Sequence, residues 1–341
     1  MVVGNGIKII WKREDAMGEI TAKSLAKILG AEILDDLEDE STLASTGCVP
    51  LDYLLEGGIP AGLITEIVGD FSTGKSLIGL QLCREVIRAG GIGVYLDSEN
   101  ALNKNWAVDS LDINPEELIY LTAFSLEKTY EKIKEVCKEA KTDRPVMIVW
   151  DTIAASQPDA IAISKSSDSK IKKDYSPIGL AARKNSENMP EIVKCLRESG
   201  ASLVILNQLR SKIGVLFGQK WESCGGRAIR FYSSLRLHMT KRGKIKQGGI
   251  CTGITGCMEV IKSRRSKPFT KVEFDVDFNS GIDPWSGMTK LLTKAGIVAA
   301  IGGVYKFKGS KKSFKSADLP QIYKEIWDLA LEYESLSKGL V

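Results

Sequence analysis

The chain has 341 residues and a formal net charge of +4, a length that accommodates one large core with small appendages and a charge too small to signal nucleic-acid binding by itself. His238 is the single histidine, read as a strand-face residue, which excludes histidine-based triads. The cysteines at 48, 83, 137, 195, 224, 251 and 257 form no C-x-x-C pair, which argues against a zinc site or a disulfide frame. No apolar run reaches membrane-spanning length and the first ten residues do not resemble a signal peptide, so the expected compartment is reducing and cytoplasmic.

In chain order, residues 1–44 hold an amphipathic helix from about Ala16 to Leu29, then Ala31-Glu-Ile-Leu34 and an acidic stretch, Asp35 to Glu40. Periodicity alone leaves this helix either folded on its own core or packed on another subunit. Residues 45–283 alternate between strand and helix patterns, with strands at Leu63–Val68, Ile92–Leu96, Val146–Trp150 and Ser202–Asn207. That alternation predicts an α/β fold with a mostly parallel sheet covered on both faces. Leu235–Met239, Met258–Ile261 and Val272–Phe278 follow without intervening helices and predict a meander at one edge. Residues 284–341 form a small basic α/β region ending in an exposed helix, Leu319 to Tyr333.

The most informative run is Gly69-Asp70-Phe71-Ser72-Thr73-Gly74-Lys75-Ser76, between an apolar strand and a helix-like stretch. It matches the phosphate loop G-x-x-x-x-G-K-[ST]. Its backbone N–H groups point at one anion at the positive end of a helix dipole. Lys75 then reaches the β- and γ-phosphates of ATP, and the Ser76 hydroxyl ligates Mg²⁺. Val146-Met-Ile-Val-Trp-Asp151 ends an apolar strand in the carboxylate that would hold Mg²⁺ through water. Glu99, in Val94-Tyr-Leu-Asp-Ser-Glu99, lies just beyond another strand end, where it either faces the γ-phosphate or caps a helix.

Several further stretches carry a family resemblance: Ser45-Thr-Gly-Cys-Val-Pro-Leu-Asp-Tyr53, Tyr95-Leu-Asp-Ser-Glu-Asn-Ala-Leu102, Gly179-Leu-Ala-Ala-Arg183, Asn207-Gln-Leu-Arg-Ser-Lys-Ile-Gly-Val-Leu-Phe-Gly218, Gly225-Gly-Arg-Ala-Ile-Arg-Phe-Tyr232, and Lys262-Ser-Arg264 with Lys267-Pro-Phe269. Together with the phosphate loop they resemble the bacterial RecA recombinases from about Ser45 to Asp283. The resemblance implies a P-loop core, a short N-terminal polymerisation segment and a small C-terminal lobe. It makes Glu99 the residue that activates the attacking water and Gln208 the sensor of the γ-phosphate. It places Trp106 where an aromatic stacks on adenine and Asn103 where the base is hydrogen-bonded. Lys262 and Arg264 match basic residues that reach the neighbouring subunit's ATP.

Two loops are expected to contact DNA. In the second, Ser211 to Gly226, Lys212 and Lys220 offer charge. Ile213 and Val215 offer wedges between bases, and Gly225 and Gly226 permit close backbone approach. Arg210, Gly214 and Arg227 belong to the same expected surface. The first loop, roughly Ser164 to Pro177, carries lysines at 165, 170, 172 and 173, and is followed by Ile178 and Arg183 at positions matching the family's DNA contacts. Pro190 stands near where another basic contact is usual, and the lysines at 306, 308, 311, 312 and 315 form either a solvated face or a duplex-gathering patch. The expected protein is an ATP-dependent recombinase that forms helical filaments on single-stranded DNA and pairs it with a duplex. A ring-forming helicase and a non-hydrolysing regulatory relative are the alternatives.

Overall fold

The computed structural model describes residues 43–122, 125–140, 144–161, 179–211, 221–264, 267–294, 296–308 and 312–321. The expected N-terminal helix and strand, the first DNA loop and most of the C-terminal helix lie outside the described residues.

Strand sequences determine the layering. In β3 (Ile64–Gly69), β4 (Ile92–Asp97), β6 (Val146–Asp151) and β7 (Ser202–Ser211), both faces of the strand carry buried residues, most of them apolar. Tyr95, Met147, Val149, Val204 and Leu206 pack to one side; Val94, Leu96, Ile148, Trp150, Leu203 and Ile205 pack to the other. A strand whose two faces are both buried belongs in the interior of a sheet with helices above and below. The first face is covered by α1 (Val49–Leu54), α2 (Lys75–Arg88) and α3 (Lys104–Leu111). The second is covered by α4 (Leu126–Glu139), α5 (Leu180–Ser199) and α6 (Arg227–Tyr232).

The main sheet has the order β12-β11-β10-β9-β3-β7-β6-β4-β5, with β8 (Trp221–Ser223) paired antiparallel to β7. Its six strands from β9 (Leu235–Gln247) to β5 (Leu118–Thr122) run parallel. β10 (Ile250–Ser263), β11 (Lys271–Asp277) and β12 (Gly281–Ile282) extend it as the expected antiparallel meander. A two-residue ladder joins β1 (Leu43–Ala44) to β2 (Ile59–Pro60).

Two elements differ from the sequence reading. β5 was not anticipated: it lies on the sheet edge with Ile119 and Tyr120 exposed, so it lacks the apolar run of a buried strand. β9 and β10 also run far beyond the apolar stretches Leu235–Met239 and Met258–Ile261, as a hairpin whose outer β9 half is largely polar. Its turn is Gly248-Gly249, with φ of 55° and 86°. Two left-handed residues form the mirror-image turn whose twist matches paired strands, so the Gly-Gly pair was the readable signal.

Beyond the sheet, α7 (Met288–Lys294), β13 (Val298–Ile301), β14 (Val304–Phe307) and β15 (Ser313–Phe314) enclose a separate cluster of Met288, Leu292, Ile297, Val298, Phe307, Phe314 and Leu319. These elements form a small α/β cluster; the end of the expected helix from Leu319 to Tyr333 lies outside the described residues.

Candidate nucleotide site and nucleic-acid interface

β3 occupies the middle of the sheet and runs directly into the phosphate loop. At its last residue, Gly69, a Cβ would lie 2.6 Å from the carbonyl oxygen of Met239, so only glycine lets the loop leave between β7 and β9. Gly74 sits at φ 95° before α2, and no side chain caps that helix, which leaves its N-terminus to face an anion. Gly79, inside α2, sets the height of the loop over the sheet. A Cβ there would lie 2.9 Å from Val149 and 3.0 Å from Leu206. The Lys75 ammonium donates to the carbonyl oxygens of Gly69 at 3.0 Å and Asp70 at 2.7 Å. Burial pulls its pKa down, while Asp151, Asp70 and Glu99 oppose that shift. Thr73 is buried, whereas Phe71 is 70% exposed.

Two neighbouring strands end in carboxylates at the same level, since Asp97 of β4 is paired with Asp151 of β6. The Asp151 carboxylate accepts from the Tyr95 hydroxyl at 2.5 Å and from the Ser76 hydroxyl. Burial raises its pKa, against the effect of these two hydrogen bonds and of Lys75. Among the described residues no group of three or more His, Cys, Asp or Glu could hold a metal ion. A hydroxyl beside one carboxylate does fit Mg²⁺, which keeps several waters and takes one or two protein ligands along with phosphate oxygens.

Asp97 organises the segment that carries Glu99. One of its oxygens accepts the backbone N–H groups of Glu99 (3.0 Å) and Asn100 (2.7 Å). The other accepts those of Ala101 and Leu102, both at 2.9 Å, and the Tyr120 hydroxyl at 2.9 Å. The exposed Glu99 side chain accepts from Gln208 Nε2 at 2.9 Å, which joins the expected water-activating residue to the expected sensor. Its pKa is raised, first by desolvation and then by Asp151 and Asp97, with Lys75 opposing.

Gln208 is held from behind. Its backbone N–H donates to Asn207 Oδ1 at 2.8 Å, and Asn207 Nδ2 donates to Glu66 Oε1 at 2.8 Å and to the Cys224 carbonyl at 2.9 Å. Glu66 is fully buried and accepts from Arg236 Nε at 2.5 Å. A chain of hydrogen bonds thus runs from Arg236 through Glu66, Asn207 and Gln208 to Glu99.

The remaining nucleotide-site expectations have other immediate partners. Asn103 Oδ1 caps α3 by accepting from Trp106 N–H at 3.1 Å. The Trp106 indole donates to the Phe278 carbonyl at 2.8 Å, and its ring packs on the core.

Lys262 and Arg264 are not brought to this site. Register places Lys262 opposite Arg236, which lies opposite Glu66, three residues back from Gly69 along β3. That is about 10 Å toward the amino ends of the parallel strands, with a further strand pair of lateral separation. There the Lys262 ammonium donates to the carbonyls of Arg230 (2.9 Å) and Phe231 (2.8 Å), at the C-terminal end of α6. Burial, Arg264 and Arg236 lower its pKa.

Of the expected DNA contacts, Ile178, Lys212, Ile213, Gly214 and Val215 lie outside the described residues. Arg210 is exposed near the end of β7, where that segment departs. Gly225 and Gly226, both at φ 85°, approach α5 closely: a Cβ on Gly226 would lie 2.5 Å from that of Ala182. Asn185, itself bonded by the Tyr130 hydroxyl at 2.7 Å, donates to the Gly225 carbonyl at 2.7 Å. The exposed Arg183 and Arg227 flank this contact, one from each helix start.

A family model, the RecA N-terminal domain, matches residues 16–283. The chain is 31% identical over 302 residues to Protein RecA of Bordetella petrii, covering 88% of this chain and 82% of that protein. Against Protein RecA of Clostridium perfringens (strain SM101) it is 30% identical over 323 residues, covering 94% and 88%. Against that of Bdellovibrio bacteriovorus it is 32% identical over 284 residues, covering 83% and 72%. The chain belongs to the RecA family. It is a RecA-type protein of DNA recombination and repair that binds ATP and DNA, and no helix among its described residues is long and apolar enough to cross a membrane.

Sequence reasoning missed the supporting residues of this RecA-family site. Asp97 holds Glu99 through its backbone, and Tyr120 acts through Asp97; Asn207, Glu66 and Arg236 stand behind Gln208, and Tyr95 bonds Asp151 directly. One of them had a readable signal: Glu66 interrupts the apolar strand Ile64-Thr-Glu-Ile-Val68, and a carboxylate in a central strand requires a buried cation or donor.

Proposed function

We propose that this protein is a DNA-dependent ATPase whose ATP-bound protomers polymerise head to tail on single-stranded DNA, pair it with a homologous duplex and exchange strands. One observation carries the reading. Lys75, Ser76, Asp151, Glu99 and Gln208 converge at the carboxyl ends of the parallel strands, whereas Lys262 and Arg264 stand at the opposite end of the same sheet. A phosphoryl-transfer site lacking its own transition-state cations is completed by a second copy, and head-to-tail repetition of one interface gives an open helix unless the rotation closes.

In this reading the loop from Gly69 to Ser76 wraps the phosphates, and Lys75 exchanges its bonds to Gly69 and Asp70 carbonyls for the β- and γ-phosphate oxygens. Ser76, with Asp151 through water, would hold Mg²⁺, which would supply positive charge to offset the charge developing on the phosphates. Glu99 orients the attacking water and takes up its proton; its raised pKa suits a base. Trp106 and Asn103 form the adenine side. Gln208 exchanges Glu99 for the γ-phosphate and transmits that change into the DNA-binding segment that begins after Ser211.

Arg183, Arg210 and Arg227 supply phosphate contacts, joined by Ile178, Lys212, Ile213, Gly214, Val215, Gly225 and Gly226. These contacts position the strand without reading sequence. Residues 1–44 supply the polymerisation segment and residues 284–341 a second lobe, in a cytoplasmic protein associated with the nucleoid. Electron microscopy with single-stranded DNA and a slowly hydrolysed ATP analogue tests the reading. Helical filaments are expected, and rings or unassembled protomers would overturn it.

A further inference from the structure

Two phenylalanines are exposed in a way that a lone protomer does not explain. Phe71 projects from the phosphate loop and is 70% exposed, and Phe269 projects from the turn between β10 and β11 and is 76% exposed. Phe269 also has φ 66°, in the left-handed region that costs a non-glycine residue free energy. Its backbone is nonetheless pinned, since its N–H donates to the Val260 carbonyl at 2.6 Å while Val260 N–H donates to Thr270 at 2.9 Å. A strained backbone holding an aromatic ring in water gains nothing within one chain.

The surroundings of the two rings are opposite in charge. Phe71 follows Asp70 in the phosphate loop, whose Lys75 is faced by the carboxylates of Asp151, Asp70 and Glu99. Phe269 is pinned to Val260 of β10, two residues before Lys262 and four before Arg264, and follows Lys267 by two residues in the turn, so the segments that carry it are basic. Complementary edges of one molecule favour a second copy of this chain as the occupant. A second copy whose Lys262 reached the phosphates wrapped by this loop would bring the turn that carries Phe269 toward the loop that carries Phe71.

We propose that Phe71 and Phe269 form an apolar contact between successive protomers, beside the nucleotide, and that this contact tightens the interface where the phosphate loop must stay ordered. The proposal rests on the reading that the site is completed by a second copy. The contact adds shape-specific burial to charges that salt screens, and well-packed aromatics at the centre of an interface carry a disproportionate share of its affinity.

Phe71→Ala, Phe269→Ala and the double variant are compared in filament assembly on single-stranded DNA. The analogue is held at saturation, so a change in nucleotide affinity does not enter. Each single change is expected to raise the protein concentration needed for assembly by roughly tenfold. The double variant is expected to be no worse than either single, because one contact is lost only once. Phe71→Leu should recover part of the loss. Additive effects, or no effect in either single variant while wild-type filaments form, would overturn this contact and leave the shared-site reading standing. If mixed Lys75→Ala and Lys262→Ala protomers co-assemble without regaining hydrolysis, both readings fall.

Discussion

The two ends of the central sheet are built on different principles. At the carboxyl ends every functional side chain has a partner in the same chain: Lys75 on loop carbonyls, Asp151 on Tyr95 and Ser76, Glu99 on Gln208, Asp97 on four backbone N–H groups. At the amino ends the cations Arg264 and Lys267 are exposed, and Lys262 rests on helix carbonyls with a lowered pKa. One end is a preorganised acidic cradle and the other a basic face oriented outward. On the proposed reading the two ends make one phosphoryl-transfer site only when successive protomers bring them together.

The largest effect should come from breaking the cradle at its cation. On the proposed assignment Lys75→Ala removes the ammonium that neutralises the β- and γ-phosphates, so ATP hydrolysis and stable DNA filaments should be lost together. Wild-type hydrolysis in this variant, measured by phosphate release, would refute the site.

Glu99→Gln keeps shape and the hydrogen bond with Gln208 but removes the base. Hydrolysis should fall by roughly 10²-fold or more while ATP and DNA affinity persist. The sign of the pH dependence follows from the raised pKa. As pH falls through that pKa, which lies above the ordinary 4.5, Glu99 becomes protonated and hydrolysis declines. This limb of the pH–rate profile should vanish in Glu99→Gln. An unchanged profile would assign it to another group.

The opposition of the two ends is sharpened by mixing. Lys262→Ala and Lys75→Ala protomers, each inactive alone, should regain part of the activity when co-assembled. One class of junction then pairs an intact cradle with an intact basic face. No recovery at any ratio, despite demonstrated co-assembly, would favour a site completed within one chain.

How legible each end was follows from how local its chemistry is. The phosphate loop and the strand-end carboxylates were readable because eight consecutive residues, or one apolar strand and its last residue, carry the whole signal. The parallel core was readable because β3, β4, β6 and β7 are mostly apolar on both faces. The edge strand β5 was not, since an exposed edge leaves only a partial pattern. The largely polar outer half of β9 escaped because strand pairing, not burial, keeps it extended. The buried chain from Arg236 to Gln208 depends on register across β9, β3 and β7, which no linear spacing encodes.

The smallest predicted effects probe the support behind Glu99. Each Asp97 oxygen accepts two backbone N–H groups, and one also accepts Tyr120 O–H. Asp97→Asn replaces one acceptor with an NH₂ group, which would face donors and push the Glu99 segment outward. Because Asp97 acts through backbone rather than on the nucleotide, kcat should fall by roughly tenfold with KM little changed, since misplacing a base costs the transition state more than the ground state. Tyr120→Phe removes a single donor from a partly exposed site, and a loss of about twofold to fivefold is expected, given roughly 1 kcal/mol for one hydrogen bond. The loss should reside in kcat again. If Asp97→Asn instead raises KM with kcat intact, the carboxylate serves nucleotide binding, and its place behind Glu99 is only structural.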